Sequence, residues 1–312
     1  MNKKIFLTGA SGFIGSKFLH QALEAGYQVR VFTRNANSFQ QTNSLEVYQG
    51  DLTKECDWSA ALLGVDVVVN AAGEFLDKDA MRLVNFDGPN RLLKTAINVG
   101  VRRWIQLSSV GAYGRVREGV VDESWKDLPI GYYEKTKSDF DLELIEISRL
   151  SNLEVCIVRP SNVYGCSMRN QSIQQMLSAI QKGLFAFVGP KGASANYVHV
   201  NDVVQALQLC ICNGKAANQI FIISAWATIE DMAAGLANGL GLEPPVKRIP
   251  LQLAHALATL MQFWSKWPLT KSRVQAMSST SRYNTKKIER ELGWKLTVPV
   301  KEGMQKFSRG FR

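Results

Sequence analysis

The 312-residue sequence predicts an α/β fold, a doubly wound parallel sheet followed by a smaller C-terminal domain. Three observations predict it. At the N-terminal end a short apolar run, a glycine-rich turn and a helix-period segment follow one another. Short Val/Ile/Leu runs then alternate with helical segments as far as Gly165, the pattern of buried parallel strands joined by crossover helices. From Cys166 onward the alternation becomes irregular, which marks a second unit.

Lys4-Ile5-Phe6-Leu7 reads as the first strand, and Ile14, Phe18, Leu19 and Leu23 recur at helical spacing after it. Between them lies Thr8-Gly9-Ala10-Ser11-Gly12-Phe13-Ile14-Gly15. Gly9 permits a tight turn, Gly12 lets the backbone approach a pyrophosphate, and Gly15 lets the helix pack closely on the strand. The helix start adds free N–H groups and a positive dipole end. Gly9, Ser11, Gly12, Phe13, Ile14 and Gly15 are therefore candidate dinucleotide-binding residues. Such glycines also serve turns that merely join strand to helix, so the rest of the chain has to decide.

Gln28 to Thr33 reads as the second strand, ending in Thr33-Arg34-Asn35. An acidic residue here would pair with the ribose hydroxyls of NAD; Arg34 instead suits a 2′-phosphate. NADP(H) is favoured and NAD(H) is possible, with a plain surface arginine as the alternative. The third strand, Leu45 to Gln49, runs into Gly50-Asp51-Leu52. Asp51 suits the adenine amine, and equally a cap or turn. The fourth strand, Val65 to Val69, leads to Asn70-Ala71-Ala72-Gly73, where small residues let a cofactor cross the strand end. A long helix is predicted over roughly Asp79 to Val99. The fifth strand, Arg103 to Leu107, delivers Ser108 and Ser109 to the edge where such sheets bind ligands.

Tyr133 and Lys137 then stand four residues apart on a predicted helix and share one face. A phenol, with an ordinary pKa of about 10, needs help to act as acid or base near neutrality. A neighbouring ammonium and an oxidised nicotinamide ring would both favour the phenolate. Ser109, Tyr133 and Lys137 are the candidate catalytic residues.

The sixth strand, Leu153 to Val158, ends in Arg159-Pro160-Ser161-Asn162-Val163-Tyr164-Gly165. A helix is predicted from Ser172 to Lys182. Asn196 to Asp202 reads as a short strand with a helix cap at Asn201 or Asp202, and His199 within it as a structural histidine or a base. A strand over Gln219 to Ser224 and a helix over Ile229 to Leu240 follow. Leu251 to Trp264 is apolar on most faces, which suits a core helix or one lying on a membrane.

No run of eighteen apolar residues is present, so no transmembrane helix is predicted, and the basic start reads as the first strand rather than a signal peptide. The five cysteines are odd in number and lack metal-type spacing, which predicts reduced thiols in a cytoplasm and no metal site. The net charge of +10 is uneven: Lys247 to Arg312 holds fourteen Lys/Arg against three Glu. That excess suits an anionic substrate, an acidic surface or a merely solvated face.

Together these pieces resemble the extended short-chain dehydrogenase/reductases, in the branch of NAD(P)-dependent epimerase/dehydratase proteins. The matching segments stand in family order: Gly9-x-x-Gly12-x-x-Gly15, Gly50-Asp51-Leu52, Asn70-Ala71-Ala72, Val84-Asn85-Phe86-Asp87-Gly88, Leu107-Ser108-Ser109 with Tyr113-Gly114, Tyr133 with Lys137, Arg159-Pro160-x-Asn162-Val163-Tyr164-Gly165, Val198-His199-Val200-Asn201-Asp202 and Glu291-Leu292-Gly293-Trp294. The resemblance implies a Rossmann domain over 1–165, with 197–224 returning to it, and a substrate domain from 166–196 and 225–312. It implies Tyr133 as acid/base, Lys137 as the residue that lowers its pKa and holds the nicotinamide ribose, and Ser109 as the group polarising the substrate oxygen. Pro160, Asn162 and Val163 would lie near the nicotinamide. It also implies a homodimer formed through the long helices around 79–99 and 131–150.

One departure concerns the substrate. Sugar-nucleotide epimerases of this family often carry an arginine on the diphosphate where this chain has Ala195, leaving Lys191, Arg169, Arg273 or Arg282 as substitutes. The expected activity is hydride transfer between NADP(H) and a hydroxyl or keto carbon of a nucleotide-activated sugar, by an epimerase or 4-keto-reductase. An apolar alcohol or ketone, hydroxysteroid-like or flavonoid-like, is the second reading, and a non-catalytic cofactor-binding scaffold the third. A small molecule rather than nucleic acid is the expected partner, and peripheral membrane contact is possible but not favoured.

Overall fold

The computed structural model describes residues 3–168, 171–260 and 270–311. In chain order the strands are β1 (Lys4–Thr8), β2 (Gln28–Thr33), β3 (Leu45–Gln49), β4 (Val67–Asn70), β5 (Arg103–Leu107), β6 (Val120–Val121), β7 (Glu154–Pro160), β8 (Asn162–Tyr164), β9 (Phe187–Val188), β10 (Ser194–His199), β11 (Gln219–Ile223), β12 (Ala225–Thr228), β13 (Arg248–Ile249) and β14 (Arg282–Tyr283). The helices are α1 (Phe13–Glu24), α2 (Trp58–Leu62), α3 (Lys78–Arg82), α4 (Gly88–Asn98), α5 (Tyr132–Leu150), α6 (Ser172–Gln181), α7 (Val200–Cys212), α8 (Ile229–Leu240), α9 (Leu251–Leu260), α10 (Lys271–Ala276), α11 (Lys286–Leu292) and α12 (Val300–Arg309).

Seven strands form one sheet in the order β11-β7-β5-β4-β1-β2-β3, with every neighbouring pair parallel. The sheet is buried on both faces because side chains alternate along each strand. Ile5, Leu7, Val29, Val31 and Val69 pack with α1 and α7, while Phe6, Phe32, Val68 and Trp104 pack with α2, α4 and α5. β1 pairs with both β2 and β4, so the winding reverses there. The crevice outside the carboxyl ends of β1 and β4 is the binding position of such a sheet.

The C-terminal elements build a separate core. Ile173 and Leu177 of α6, Met232 and Leu236 of α8, and Met304 and Phe307 of α12 cluster beside Tyr164. A small sheet, β12-β10-β8, runs along this unit, and the expected domain boundary at residue 197 falls inside β10. β14 pairs with β6, and Thr280 N donates to the Arg117 carbonyl at 2.7 Å, so the C-terminal unit grips the loop between β5 and α5.

Three predicted elements differ. The long helix over 79–99 is divided into α3, a wide turn over Leu83–Asp87, and α4. The wide turn swings Asn85 inward, where Oδ1 accepts Glu74 N at 2.9 Å and Nδ2 donates to Glu74 O at 2.9 Å and Thr136 Oγ1 at 3.1 Å. α7 is capped by His199, not by Asn201 or Asp202: His199 Nδ1 accepts Asn201 N at 3.3 Å. That role needs an unprotonated nitrogen, and burial pushes the imidazole below its ordinary value. Asp202 is buried instead and accepts Thr297 N at 2.9 Å and Val298 N at 3.3 Å. The predicted apolar helix over 251–264 begins as α9, which buries Ala254 and Ala258 against Val188 and Val274. Residues 261–264 of that segment lie outside the described residues. Among the described residues no helix is long and apolar enough to cross a membrane.

Candidate active site

A buried polar ladder fixes the floor of the crevice. Thr8 Oγ1 donates to Asn70 Oδ1 at 2.5 Å, and Asn70 Nδ2 donates to Gln106 Oε1 at 2.9 Å, tying together β1, β4 and β5. Buried polar groups hold position only when paired, so these bonds align the strand ends. Nothing in the sequence pattern marks Thr8, Asn70 and Gln106 as partners, although each strand carries a polar residue near its end.

The glycine turn stands above it. Gly9 has a φ of +70°, which favours glycine, and Gly12 N donates to the Gly9 carbonyl at 2.9 Å. A Cβ on Gly15 would stand 2.1 Å from the Gly9 oxygen, so the close approach is between helix and turn rather than helix and strand. Gly12 caps α1 with extended backbone and no side chain on the first-turn N–H groups. Those groups remain available to an anion. Ser11 is exposed; Phe13 and Ile14 pack their side chains on the core, leaving their backbone for a ligand.

Along the far rim, Ala71 is half-buried, Ala72 buried and Gly73 exposed. A Cβ on Gly73 would meet nothing nearer than Asn85 Oδ1 at 3.7 Å and Lys137 Nζ at 4.0 Å, so room remains beside the lysine. The open rim, the uncapped helix start and the aligned strand ends fit a dinucleotide. Arg34 is exposed, and its charge acts on the half-buried Asp51. Burial pulls Asp51 up, but the Thr53 N–H and hydroxyl, both 2.9 Å away, and Arg34 hold it below its ordinary value. Leu52 is buried, and its carbonyl accepts Arg91 at 2.7 Å.

Tyr133 and Lys137 project from the first turns of α5. Tyr133 is half-buried, with the Phe75 ring edge-on at 6.4 Å; Lys137 is only 4 % exposed and donates to the Ala72 carbonyl at 3.4 Å. Ser109 begins the turn after β5 and accepts Gly111 N at 3.0 Å. Gly111 lies so close to α5 that a Cβ would come within 2.6 Å of Glu134 Cγ, which brings the Ser109 turn onto the helix start. No hydrogen bond joins Ser109 to Tyr133 among the described residues. Burial pushes the Tyr133 phenol up to about 12, with Glu134 and Asp141 adding to it, and pushes the Lys137 ammonium down to about 8. In the folded chain itself Tyr133 is thus a neutral phenol; the expected lowering by lysine is not the dominant influence.

Pro160 is buried at the end of β7, Val163 half-buried, and Asn162 exposed with Nδ2 donating to the Asn196 carbonyl at 3.2 Å. On the C-terminal side, Ala195 is buried and Lys191 exposed. Arg273 donates to Gln175 Oε1, and the exposed Arg282 lies over the Trp226 ring at 3.6 Å. Arg169 lies outside the described residues. A cavity of about 690 Å³ opens beside the β5–α5 loop, lined by Tyr113, Arg115, Arg117, Trp125, Leu128 and Ile130 among others.

Residues 5–224 match the NAD dependent epimerase/dehydratase family. A UDP-glucose 4-epimerase of Vibrio cholerae is 26% identical over 326 residues, covering 100% of this chain and 96% of that protein. A mouse sterol-4-alpha-carboxylate 3-dehydrogenase (decarboxylating) is 25% identical over 332 residues, covering 99% of this chain and 91% of that protein. The crystal structure of UDP-glucuronic acid 4-epimerase from Bacillus cereus in complex with NAD superimposes with a TM-score of 0.77 at 18% identity, covering 99% of each chain. The match over most of the chain, on a parallel sheet with a glycine turn at its switch point, places this protein in the NAD dependent epimerase/dehydratase family, as an NAD(P)-dependent enzyme of the extended short-chain dehydrogenase/reductase type.

Proposed function

We propose that this enzyme transfers hydride at a hydroxyl or keto carbon of a nucleotide-activated sugar, as an epimerase or 4-keto-reductase, using Ser109, Tyr133 and Lys137. The observation that carries the reading is the placement of Tyr133 and Lys137 on one face of α5, with Lys137 bonded to the Ala72 carbonyl at the β4 end. When bound, the nicotinamide cofactor supplies the hydride acceptor and donor. The first turn of α1 would hold its diphosphate, and Ala71, Ala72 and Gly73 would flank it. NADP(H) is favoured on the strength of Arg34, with NAD(H) as the alternative named by the Bacillus structure.

Each protein group has a separate task. As a neutral phenol, Tyr133 donates a proton to the oxygen of a ketone as it becomes an alkoxide. In the reverse direction it takes the hydroxyl proton, which requires positive charge nearby to stabilise the phenolate. Lys137 supplies that charge from a buried position. Ser109 donates a hydrogen bond to the same substrate oxygen. Arg282, exposed on the small-sheet side, is a partner for the diphosphate in place of Ala195.

The test is conversion of uridine, thymidine and guanosine diphosphate sugars, with Tyr133→Phe as control. This change removes one oxygen and keeps the ring against Phe75. Turnover should fall by about 10²–10⁴-fold while dinucleotide affinity holds. A Phe variant as active as the wild type refutes the mechanism. The second reading, an apolar alcohol or ketone, draws its support from the Phe75 edge beside Tyr133 and from alanine rather than arginine at residue 195. Heat protection by sterol ketones, with none from nucleoside diphosphates, would select that reading.

A further inference from the structure

Tyr133, Lys137 and Asp141 stand at i, i+4 and i+8 on α5, one stripe of side chains running inward. Asp141 is fully buried. Its Oδ2 accepts Ser108 Oγ at 2.7 Å, Arg159 Nε at 3.1 Å and Arg159 Nη2 at 3.0 Å. Its Oδ1 is equally buried and accepts no hydrogen bond among the described residues. Lys137, one turn away, is buried with one long hydrogen bond, to the Ala72 carbonyl. Two opposite charges, each incompletely satisfied, thus share one dry helix face. Arg159 has a second counter-ion besides Asp141: Asp127 grips its two terminal nitrogens at 2.7 Å each, and the Tyr113 ring lies 4.9 Å from its centre.

We propose that Asp141 is a positioning residue of this site: anchored by Ser108 and Arg159, its buried carboxylate keeps the Lys137 ammonium charged and held at the β4 end. The proposal rests on the role given to Tyr133 and Lys137 above. An opposite charge one turn away in a water-poor setting favours the charged form of both partners. The groups around the pair are Tyr133 and Glu134 on α5, Ser108 just after β5, Arg159 from β7, and Tyr113 and Asp127 from the loop before α5. Burial pushes Lys137 down, and Asp141 is the neighbour that pushes it back up. The anchoring has a second effect. Ser108 adjoins Ser109 and Arg159 adjoins Pro160, so one carboxylate ties the ends of β5 and β7 to the helix carrying Tyr133.

The experiment measures NADH and NADPH affinity by fluorescence against pH for the wild type, Asp141→Asn, Asp141→Glu and the milder Ser108→Ala, with melting recorded in parallel. Wild-type affinity is expected to weaken as Lys137 loses its proton. In Asp141→Asn that limb should move to lower pH by about one unit or more. Asp141→Glu should restore it, and Ser108→Ala should move it the same way by less. In a Lys137→Met background the Asn change should no longer alter the profile. A limb that stays in place while the melting temperature falls makes Asp141 a structural counter-ion only and overturns the proposal. A wild type that binds neither dinucleotide at any pH overturns the hydride-transfer reading as well.

Discussion

Lys137→Met separates the stability of this chain from its activity. Burial holds the Lys137 ammonium down from 10.5 to about 8, with Asp141 pulling the other way. At about 1.36 kcal/mol per pH unit, that depression means the buried charge costs folding about 3 kcal/mol. The whole cost is present below about pH 8, where lysine is protonated in both the folded and the unfolded chain. Between about pH 8 and 10.5 the unfolded chain keeps its proton and the folded chain does not, so stability rises with pH across that window. Methionine has similar length and no charge. The variant should therefore melt higher than the wild type at about pH 7, by on the order of 5 °C, less whatever is lost by leaving Asp141 without its positive neighbour. The gain should shrink toward about pH 10, where the wild-type lysine is neutral. Turnover should collapse at every pH. Differential scanning calorimetry at the two pH values checks the effect. A variant that melts below the wild type at about pH 7, or gains equally at both pH values, refutes the reasoning.

Arg34→Ala should weaken NADPH binding selectively and leave NADH nearly unchanged by fluorescence titration; equal affinities in the wild type would end the 2′-phosphate assignment. Gly15→Ala forces a Cβ to within 2.1 Å of the Gly9 oxygen. Overpacking of this kind costs about 1–3 kcal/mol, so both melting temperature and dinucleotide affinity should fall; an unaffected variant would mean the turn is not held by that contact. Leu142 is 56 % exposed on α5, one of the helices proposed to pair in a homodimer. Light scattering should show a dimer for the wild type and a monomer for Leu142→Arg, and a monomeric wild type removes the proposal.

Much of the fold was legible because its causes are local. The runs Lys4-Ile5-Phe6-Leu7 and Gln28 to Thr33 are strands in the structure, Gly9 before α1 is required by a positive φ, and Gly15 within α1 by a close approach. Helical spacing placed Tyr133 and Lys137 on one face. The break in the helix over 79–99 was not legible. It brings Asn85 onto Glu74 and Thr136, and a helical pattern in sequence cannot register a partner 51 residues away.

The amino-acid sequence by itself determined the order of strands and helices, the switch-point turn and the spacing of the three candidate catalytic residues, since periodicity and steric freedom act over a few residues. Tertiary structure alone decided which polar groups leave water and what they meet there. Asp202 looked like a cap and instead bonds the segment at Thr297; Asp141, which carries no signal in the sequence, and Arg159 of the sixth-strand motif meet in the buried interior beneath the proposed site. Burial also reversed the expected balance at the site, raising the Tyr133 phenol and lowering the Lys137 ammonium. The physical reason is that a charge is stabilised by water or by its partners, and which of these it keeps is set by packing between segments far apart in the chain.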